Sequence, residues 1–414
     1  MTVLRGGRAL QIDVPVASIR TRLVSALNGA YLSYFVYRLV VFLYATWVLR
    51  GFMSTNAGFL NSDAFNAQPL VIRRADKKRQ RTGRTGSGQR AVFHVGSPLF
   101  AALDRQALSD NHLMGITKYI KEIGRGKDGA RPLDREQAAD LLGQVLDGNV
   151  SDLEVGAFCL AMRIKGETPE EMAGFLDAVH QRLSLIPDSG TPVVVLPSYN
   201  GARKLPLLTP LLAQLLAREG VPVLIHGTPT ESSRIFISEV LLALDIPAQS
   251  AIKSIASGEV AFVPTEMLCP ALKRLLDVRR VVGLRNPAHS LVKLMNPCRS
   301  KALIVSSYTH PEYAVSMAAT FELTSSNALL LRGTEGEVVA DARRMPQMEG
   351  FINGHKQLLQ DAQAGTLSTL PDWPNTCDSA ATAVYINQVL AGQQTVPASI
   401  ARQVEHILRL FKQL

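Results

Sequence analysis

Apolar and polar positions follow a helical pattern in residues 114–184. Apolar residues recur there every three or four positions in four consecutive segments, which predicts four amphipathic helices. Three of these segments begin with Asp, Ser or Thr followed three positions later by Gln or Glu, the spacing of a capping box. The pairs are Asp134 with Gln137, Ser151 with Glu154, and Thr168 with Glu171. The pattern therefore predicts a small helical bundle.

Beyond the bundle, short apolar runs alternate with helical patterns. The runs at 193–196 and 221–227 flank an apolar-faced helix at 208–220, and further strands are predicted at 259–264, 302–307 and 327–333. A strand, a helix and a strand in succession imply parallel strands joined by a right-handed crossover. The predicted fold class is therefore α/β, with a small helical domain at 114–184 and a larger domain at 185–414 that contains a mainly parallel sheet.

Residues 1–113 have a different pattern of apolar and basic residues. The apolar run 31–49 is long enough to span a bilayer, but it contains Arg38, which would cost about 2.5–3.5 kcal/mol at the bilayer centre. A basic tract interrupted by Gly and Ser follows at 73–90. Three interpretations are open: a start site assigned too far upstream, which we favour, a membrane anchor, or a disordered basic extension that binds nucleic acid or anionic lipid. A membrane location is not expected.

The net charge of +9 belongs to this first segment. Residues 1–113 hold 15 Lys and Arg against 5 Asp and Glu, whereas residues 114–414 hold 29 against 30. Four widely separated cysteines lack the spacing of a metal site, so we expect reduced thiols, no bound metal and a cytoplasmic protein. They are Cys159, Cys269, Cys298 and Cys377.

The turn after the first α/β strand reads "PSYNGARK" (197–204). A strand that ends in a glycine-bearing turn ahead of a helix is a common place for phosphate binding, although this turn has one glycine where such loops have several.

Seven segments together resemble a known family: "EIGRGK", "RIKGETPEEMAGFLDA", "PSYNGARK", "TPLLAQLLAREGVPVLIHG", "GLRNPAHSLVKLMNP", "SYTHPEYA" and "LLLRGTEGEV". In this order they resemble the anthranilate phosphoribosyltransferase superfamily (the glycosyltransferase family 3 fold), and most closely its YbiB-like subgroup, known as nucleic-acid binders. The resemblance covers residues 114 to 410. It implies a small helical domain, a larger α/β domain and a homodimer formed through the helical domain.

Two departures from the family's enzymes bear on activity. Their loop Gly-Thr-Gly-Gly-Asp wraps the pyrophosphate of phosphoribosyl pyrophosphate, whereas the residues here are Ser198 to Ala202, whose side chains fill space that glycines leave open. Their adjacent Asp-Glu pair holds magnesium, whereas Val338 and Val339 stand here. Glu335 and Glu337 lie nearby and would share a face of an extended chain, which leaves some cation binding open. We expect no cofactor, and magnesium only if the chain is an active enzyme.

Other pocket positions are partly kept. His226 and Gly227 match the enzymes' Lys-His-Gly with Ile225 in place of the lysine, and Arg285 matches an arginine that contacts the aromatic acid, or else has an interdomain structural role. The degenerate pocket is thus predicted to include Ser198, Asn200, Gly201, His226, Gly227 and Arg285. We expect His289 and His310 to be hydrogen-bonding scaffold residues, and we assign no catalytic residue.

Basic residues cluster at helix ends and loops, where cations reach outward and complement the helix dipole. The predicted nucleic-acid-binding residues are Lys118, Lys121, Arg125, Lys127, Arg131, Arg163, Lys165, Arg203 and Lys204. In a homodimer these residues would be duplicated by symmetry and would line a groove for DNA or RNA without sequence preference. Tyr119 belongs either to the bundle core or to a base-stacking surface.

The leading hypothesis is a homodimer that binds nucleic acid and has lost the family's chemistry. One alternative is an active phosphoribosyltransferase or related glycosyltransferase that uses an unidentified acceptor. A second is a regulatory or scaffold protein whose pocket senses a small phosphate.

Overall fold

A computed structural model of the chain describes residues 115–367 and 372–414, and the backbone of residues 2–5 and 8–11. Two compact units are distinguished, Met1–Phe93 and His94–Leu414. In the first unit, strands β1 (Thr2–Arg5) and β2 (Arg8–Gln11) form an antiparallel hairpin. The apolar run 31–49 and the basic tract 73–90 lie outside the described residues, so the interpretations of both stay predictions.

Four helices form the predicted bundle: α1 (Thr117–Ile123), α2 (Arg135–Asp147), α3 (Asp152–Lys165) and α4 (Pro169–His180). All three predicted capping boxes are present, at the starts of α2, α3 and α4. At each, the capping side chain accepts a hydrogen bond from a backbone N–H in the first turn, and a Gln or Glu side chain accepts one from the capping residue's own N–H. The helix starts are therefore encoded locally.

The second element of the fold is a seven-stranded sheet. Its strands are β3 (Val193–Ser198), β4 (Val223–Gly227), β5 (Val260–Pro264), β6 (Ala302–Tyr308), β7 (Ala328–Arg332), β8 (Met348–Ile352) and β9 (His355–Gln360). Their order is β5-β4-β3-β6-β7-β8-β9; β3 to β7 pair in parallel, and β8 and β9 pair antiparallel. The predicted mainly parallel α/β sheet is confirmed.

The antiparallel edge hairpin was not part of the sequence prediction. Strands β8 and β9 are joined at Asn353 and Gly354, which have φ of 49° and 79°. Two consecutive residues with positive φ are the requirement of a tight hairpin turn, and Asn-Gly is the sequence that satisfies it best.

The remaining helices cover both faces of the sheet. They are α5 (Thr209–Arg218), α6 (Ile237–Ala243), α7 (Thr265–Leu268), α8 (Pro270–Val282), α9 (Ala288–Leu291), α10 (Pro311–Leu323), α11 (Ser379–Leu390) and α12 (Ala398–Phe411). Alternate residues of β3 point to opposite cores. Val193 and Val195 join a core that is continuous with the bundle, whereas Val194 and Leu196 join a core with α5, α11 and α12. The bundle therefore packs on one face of the sheet.

Within the described part of the chain, no helix has the length and hydropathy needed to cross a membrane.

Candidate functional site

The loop after β3 holds an internal carboxylate. The backbone N–H groups of Asn200 and Gly201 donate to Oε1 of Glu337 at 2.7 and 2.8 Å. The hydroxyls of Ser198 and Thr209 donate to Oε2 of the same side chain, the latter at 3.4 Å. We call these two amides and two hydroxyls the amide cradle. Glu337 is only 2% exposed, so its carboxylate fills the cradle out of contact with bulk water.

The side chains of the loop do not fill the cradle themselves. Tyr199 turns into the core, where its hydroxyl lies 2.8 Å from Nδ1 of His226 and 2.7 Å from Oγ1 of Thr265. Asn200 reaches across to the loop after β7 and donates from Nδ2 to the carbonyl of Glu335 at 3.1 Å. The sequence predicted a cradle blocked by its own side chains. In the structure the group over its amides is Glu337, which the sequence pattern indicated only as a candidate cation ligand.

A second acidic residue holds the same loop further along. Oε2 of Glu335 accepts from the backbone N–H of Arg203 at 2.7 Å and of Lys204 at 3.2 Å. Both basic residues are exposed, and their backbone rather than their side chains is fixed by Glu335. The loop after β7 thus grips the loop after β3 at two points, through Glu335 and Glu337.

Lys293 is a buried lysine that contacts the loop after β7. It is 9% exposed, and its Nζ donates to the carbonyl of Gly336 at 2.9 Å. Burial lowers the pKa of Lys293 to about 8, and the nearby Glu337 carboxylate opposes that shift. Lys293 was not among the predicted site residues, although a lone lysine between apolar residues in "LVKLM" is a signal of a buried, partnered cation.

The predicted pocket residues His226 and Gly227 lie behind the loop, at the end of β4. His226 is fully buried, and burial lowers its pKa to about 3. A Cβ atom on Gly227 would lie 2.0 Å from the carbonyl oxygen of Ser198, so the neighbouring strand requires glycine there. Both positions therefore serve the packing of β3 against β4, and neither presents a charge to a phosphate.

A cavity of about 530 Å³ opens between the bundle and the end of β6. Arg285, His289 and Lys293 line it together with Arg163 of α3. Burial lowers the pKa of His289 to about 4, and its Nε2 has no hydrogen-bond partner among the described residues. Burial also lowers the pKa of Arg285. The predicted pocket residues are therefore divided between this cavity and the filled cradle.

The predicted basic residues of α1 and the loop after it are exposed. Lys118 lies 3.5 Å from Asp140, and its Nζ is 4.5 Å from the centre of the Tyr119 ring. Glu122 pairs with Arg125 at 2.7 Å and with Arg131 at 3.8 Å. The remaining two cations of this segment, Lys121 and Lys127, are also exposed. We call these five cations the α1 basic cluster; its members are Lys118, Lys121, Arg125, Lys127 and Arg131.

Tyr119 belongs to the core. Its side chain is 8% exposed, and its hydroxyl donates to Oδ2 of Asp140 at 2.5 Å. A ring in this position offers no face to a nucleobase, so the core interpretation of Tyr119 fits the structure and the stacking interpretation does not.

Two basic residues at the end of α3, Arg163 and Lys165, have different environments, although the sequence grouped them together. Arg163 is exposed and borders the cavity. The side chain of Lys165 is only 7% exposed, and its Nζ lies 2.6 Å from Oε2 of Glu171. Lys165 was predicted to contact nucleic acid, but its charge is already used inside the bundle.

One face of α3 is apolar, and no element of residues 115–367 or 372–414 covers it. Leu153 is 84% exposed, Leu160 47% and Ile164 51%, and these residues lie on one helical stripe. Gly156, on the same stripe, has open space where a Cβ atom would be. We call this face, made of Leu153, Gly156, Ala157, Leu160 and Ile164, the α3 stripe.

Comparisons with known proteins give the family. The family model described as a glycosyl transferase family, helical bundle domain, matches residues 117–182. The uncharacterized protein YbiB of Escherichia coli K12 is 40% identical over 298 residues, which cover 70% of this chain and 92% of that protein. An anthranilate phosphoribosyltransferase of Methanosarcina acetivorans is 31% identical over 268 residues, 63% of this chain and 68% of the enzyme. The chain belongs to the anthranilate phosphoribosyltransferase superfamily and, within it, to the YbiB-like subgroup.

Solved structures agree with the fold. Anthranilate phosphoribosyltransferase from Thermus thermophilus superposes on this YbiB-like chain with a TM-score of 0.55 at 22% identity, over 69% of this chain and 85% of the enzyme. At this identity the match bears on fold alone. It agrees with the bundle and the mainly parallel sheet described above.

The residues of this YbiB-like chain do not fit the magnesium site of the superfamily's enzymes. Val338 and Val339, which stand where the resemblance places the enzymes' acidic pair, are both fully buried. Both oxygens of Glu337 accept hydrogen bonds in the cradle, and Glu335 accepts from two backbone amides. In residues 115–367 and 372–414, no cluster of three His, Cys, Asp or Glu side chains is arranged to hold a metal ion.

Proposed function

We propose that this protein is a homodimer that binds DNA or RNA without sequence preference and does not transfer phosphoribosyl groups. The observation that carries the proposal is the α1 basic cluster. Five cations lie within 14 residues of chain, with exposed side chains and only two acidic residues, Glu122 and Asp128, between them. Phosphate backbones are bound by such surfaces through charge, and this binding is insensitive to base sequence.

The ion pairs within the cluster do not prevent phosphate binding. The side chains of Lys118, Arg125 and Arg131 are 64%, 42% and 68% exposed in their pairs. Exposed pairs of this kind contribute about 0–1 kcal/mol, because water and salt screen them. A nucleic-acid phosphate can therefore compete for these cations, whereas it cannot compete for the buried Lys165.

A second copy of the chain is the proposed occupant of the α3 stripe. Large aliphatic side chains exposed in a row beside small residues are typical of a helix that packs against another helix. Helix α1 packs against α3, so a dimer formed through the stripe would bring two α1 basic clusters into one assembly. Arg163 lies on the same helix as the stripe and would extend the basic surface towards the cavity.

The filled cradle supports the loss of phosphoribosyl transfer. A pyrophosphate would have to displace Glu337 from the amides of Asn200 and Gly201, and the part of the chain that the structure describes has no cluster of three His, Cys, Asp or Glu side chains that could hold magnesium beside it. The alternative, an active transferase with an unidentified acceptor, requires both features to change.

The test is a titration of the purified full chain into labelled single-stranded and double-stranded oligonucleotides of two unrelated sequences, over a series of salt concentrations. We expect similar affinities for both sequences and an affinity that falls steeply with salt, by about 0.9 in log K per log salt for each B-DNA phosphate neutralised. Turnover of phosphoribosyl pyrophosphate with aromatic amines and magnesium is assayed in parallel, with none expected.

A double charge reversal locates the surface. Lys121→Glu with Arg125→Glu should weaken binding to every sequence alike and flatten the salt dependence. The matched control reverses two exposed cations outside the bundle, Lys253 and Arg402, and should leave binding near the wild-type value. Equal effects of the two double variants, or no salt-sensitive binding by the wild type, would contradict the proposal. Magnesium-dependent release of pyrophosphate would favour the transferase.

A further inference from the structure

The amide cradle has the composition of an oxyanion site. Two consecutive backbone N–H groups, of Asn200 and Gly201, converge on one oxygen, and two hydroxyls converge on the other. Gly201 has φ of 70°, and this turn aims both N–H groups at the same point. Consecutive amides arranged in this way form a concave surface that binds anions through their partial positive charges.

Within the part of the chain that the structure describes, the negative charge of Glu337 is stabilised in the cradle by hydrogen bonds and not by an ion pair with Lys or Arg. In the described residues, no Lys or Arg nitrogen lies within 4.0 Å of the Glu337 carboxylate. The anion is held by dipoles and hydroxyls, with the buried Lys293 bound one residue away at the Gly336 carbonyl. None of these donors is specific for a side-chain carboxylate. A free anion of similar size would meet the same groups.

The backbone just before Glu337 has a conformation that places its carboxylate in the cradle. Glu335 and Gly336 have φ of 52° and 88°, so the chain turns sharply just before Glu337. The Gly336 carbonyl accepts from Nζ of Lys293 at 2.9 Å and from the hydroxyl of Ser307 at 2.7 Å. A Cβ atom on Gly336 would lie 1.7 Å from Nδ2 of Asn200, so only glycine allows the two loops to approach this closely.

We infer that Glu337 is a built-in ligand: the cradle is an intact binding site for small oxyanions that the protein keeps occupied with its own carboxylate. The ligand class is an anion with at least two oxygens, such as a carboxylate or a phosphate. Removing the carboxylate leaves a site that an external oxyanion fills. This inference concerns a site other than the α1 basic cluster and does not depend on nucleic-acid binding.

The experiment compares the wild type with Glu337→Ala, which opens the cradle, and with Glu337→Gln, which removes the charge but leaves an amide side chain in place. Melting temperatures of the full-length proteins are measured in sodium formate, phosphate and pyrophosphate, each against chloride at equal ionic strength. We expect the oxyanions to raise the Tm of Glu337→Ala by about 2–4 °C beyond their effect on the wild type. Glu337→Gln should respond like the wild type, because its cradle is still filled.

The three anions distinguish the source of the ligand. Stabilisation by formate alone identifies a carboxylate-sized site, and stabilisation by phosphate or pyrophosphate identifies a site that accepts phosphates. A crystal structure of Glu337→Ala with the effective anion should place it on the Asn200 and Gly201 amides.

Three outcomes would overturn the inference. The first is a folded Glu337→Ala protein that no oxyanion stabilises beyond the wild type. The second is a Glu337→Ala protein that fails to fold in every anion, because then no external anion replaces the carboxylate. The third is an equal response of Glu337→Gln. Nucleic-acid binding by folded Glu337→Ala should match the wild type, so failure here is distinguishable from failure of the proposed function.

Discussion

Nζ of Lys165 lies 2.6 Å from Oε2 of Glu171, and both side chains are buried between α3 and α4. Glu171 also accepts from the backbone N–H of Thr168 and, through Oε1, from that of Leu133, both at 2.9 Å. One carboxylate therefore caps α4, fixes the chain before α2 and neutralises a buried lysine. This explains why Lys165 differs from the exposed cations around it.

Loss of either partner should destabilise the bundle strongly. Lys165→Met or Glu171→Ala leaves a buried charge without its partner, and such changes cost about 3–5 kcal/mol. Urea unfolding gives the free energy directly. Glu405→Gln serves as the control, because its pair with Arg402 is exposed and should contribute less than about 1 kcal/mol. A change below that level at Glu171 would contradict the structural role.

Substitution in the α3 stripe should produce monomers. Leu160→Asp places a charge in the centre of the proposed interface, and burying an unpaired carboxylate there is strongly unfavourable. Sedimentation velocity should show a dimer for the wild type and a monomer for the variant. Val315→Asp, at a 73% exposed site on α10, is the matched control and should remain dimeric. A monomeric wild type would contradict the proposed dimer.

Substitutions at Tyr119 distinguish a role in the bundle core from a role in stacking on nucleobases. Tyr119→Phe keeps the ring and loses the hydrogen bond to Asp140, which should lower the free energy of unfolding by about 0.5–1.5 kcal/mol. Tyr119→Leu also removes the aromatic face, and its affinity for single strands should follow that of Tyr119→Phe because the ring is buried. A loss of single-strand affinity confined to the leucine variant, with the fold intact, would restore the stacking role.

Stability should fall as the pH is lowered through the histidine range. Burial holds the pKa of His226 at about 3, against an ordinary value of 6.5. Below pH 6.5 the unfolded chain takes up a proton that the folded protein does not, so this contribution is complete above pH 6.5 and is lost towards pH 3. His289, with a pKa of about 4, acts in the same direction.

The expected slope is up to about 1.4 kcal/mol per pH unit for each such histidine. Urea unfolding between pH 5 and pH 8 measures it. His226→Gln should flatten the slope, whereas His355→Gln, at an exposed position in β9, is the control. Equal slopes for the wild type and His226→Gln would contradict the lowered pKa of His226.

Elements with strong local signals were predictable from the sequence. The capping boxes of α2, α3 and α4 lie within four residues of chain, and the run Val193 to Leu196 is apolar on both faces, as a central parallel strand must be. The signal for the β8–β9 hairpin was also present, in Asn353-Gly354. The four-residue helices α7 and α9 are too short to show a periodicity.

The filled cradle could not be predicted in the same way. Glu337 and Gly201 are 136 residues apart, and their contact depends on how two loops meet at the ends of different strands. The sequence of the loop after β3 indicates only that the enzymes' glycines are missing. The sequence of the loop after β7 indicates only that their adjacent acidic pair is missing. Similarly, the sequence places Lys165 at a helix end, where lysines are usually exposed, and only the packing of α4 shows that Glu171 reaches it.

The contact between Glu337 and the amides of Asn200 and Gly201 also makes two distant segments interdependent under mutation. Glycines introduced at 198–202 alone would still find Glu337 in the cradle, and removal of Glu337 alone would leave two buried N–H groups without an acceptor. The first change leaves the cradle occupied, and the second leaves two buried donors unpaired until an external oxyanion binds them. Where no such anion is available, a step-by-step path from this loop to an open phosphate site passes through a less stable protein, so the closed arrangement is difficult to reverse one substitution at a time.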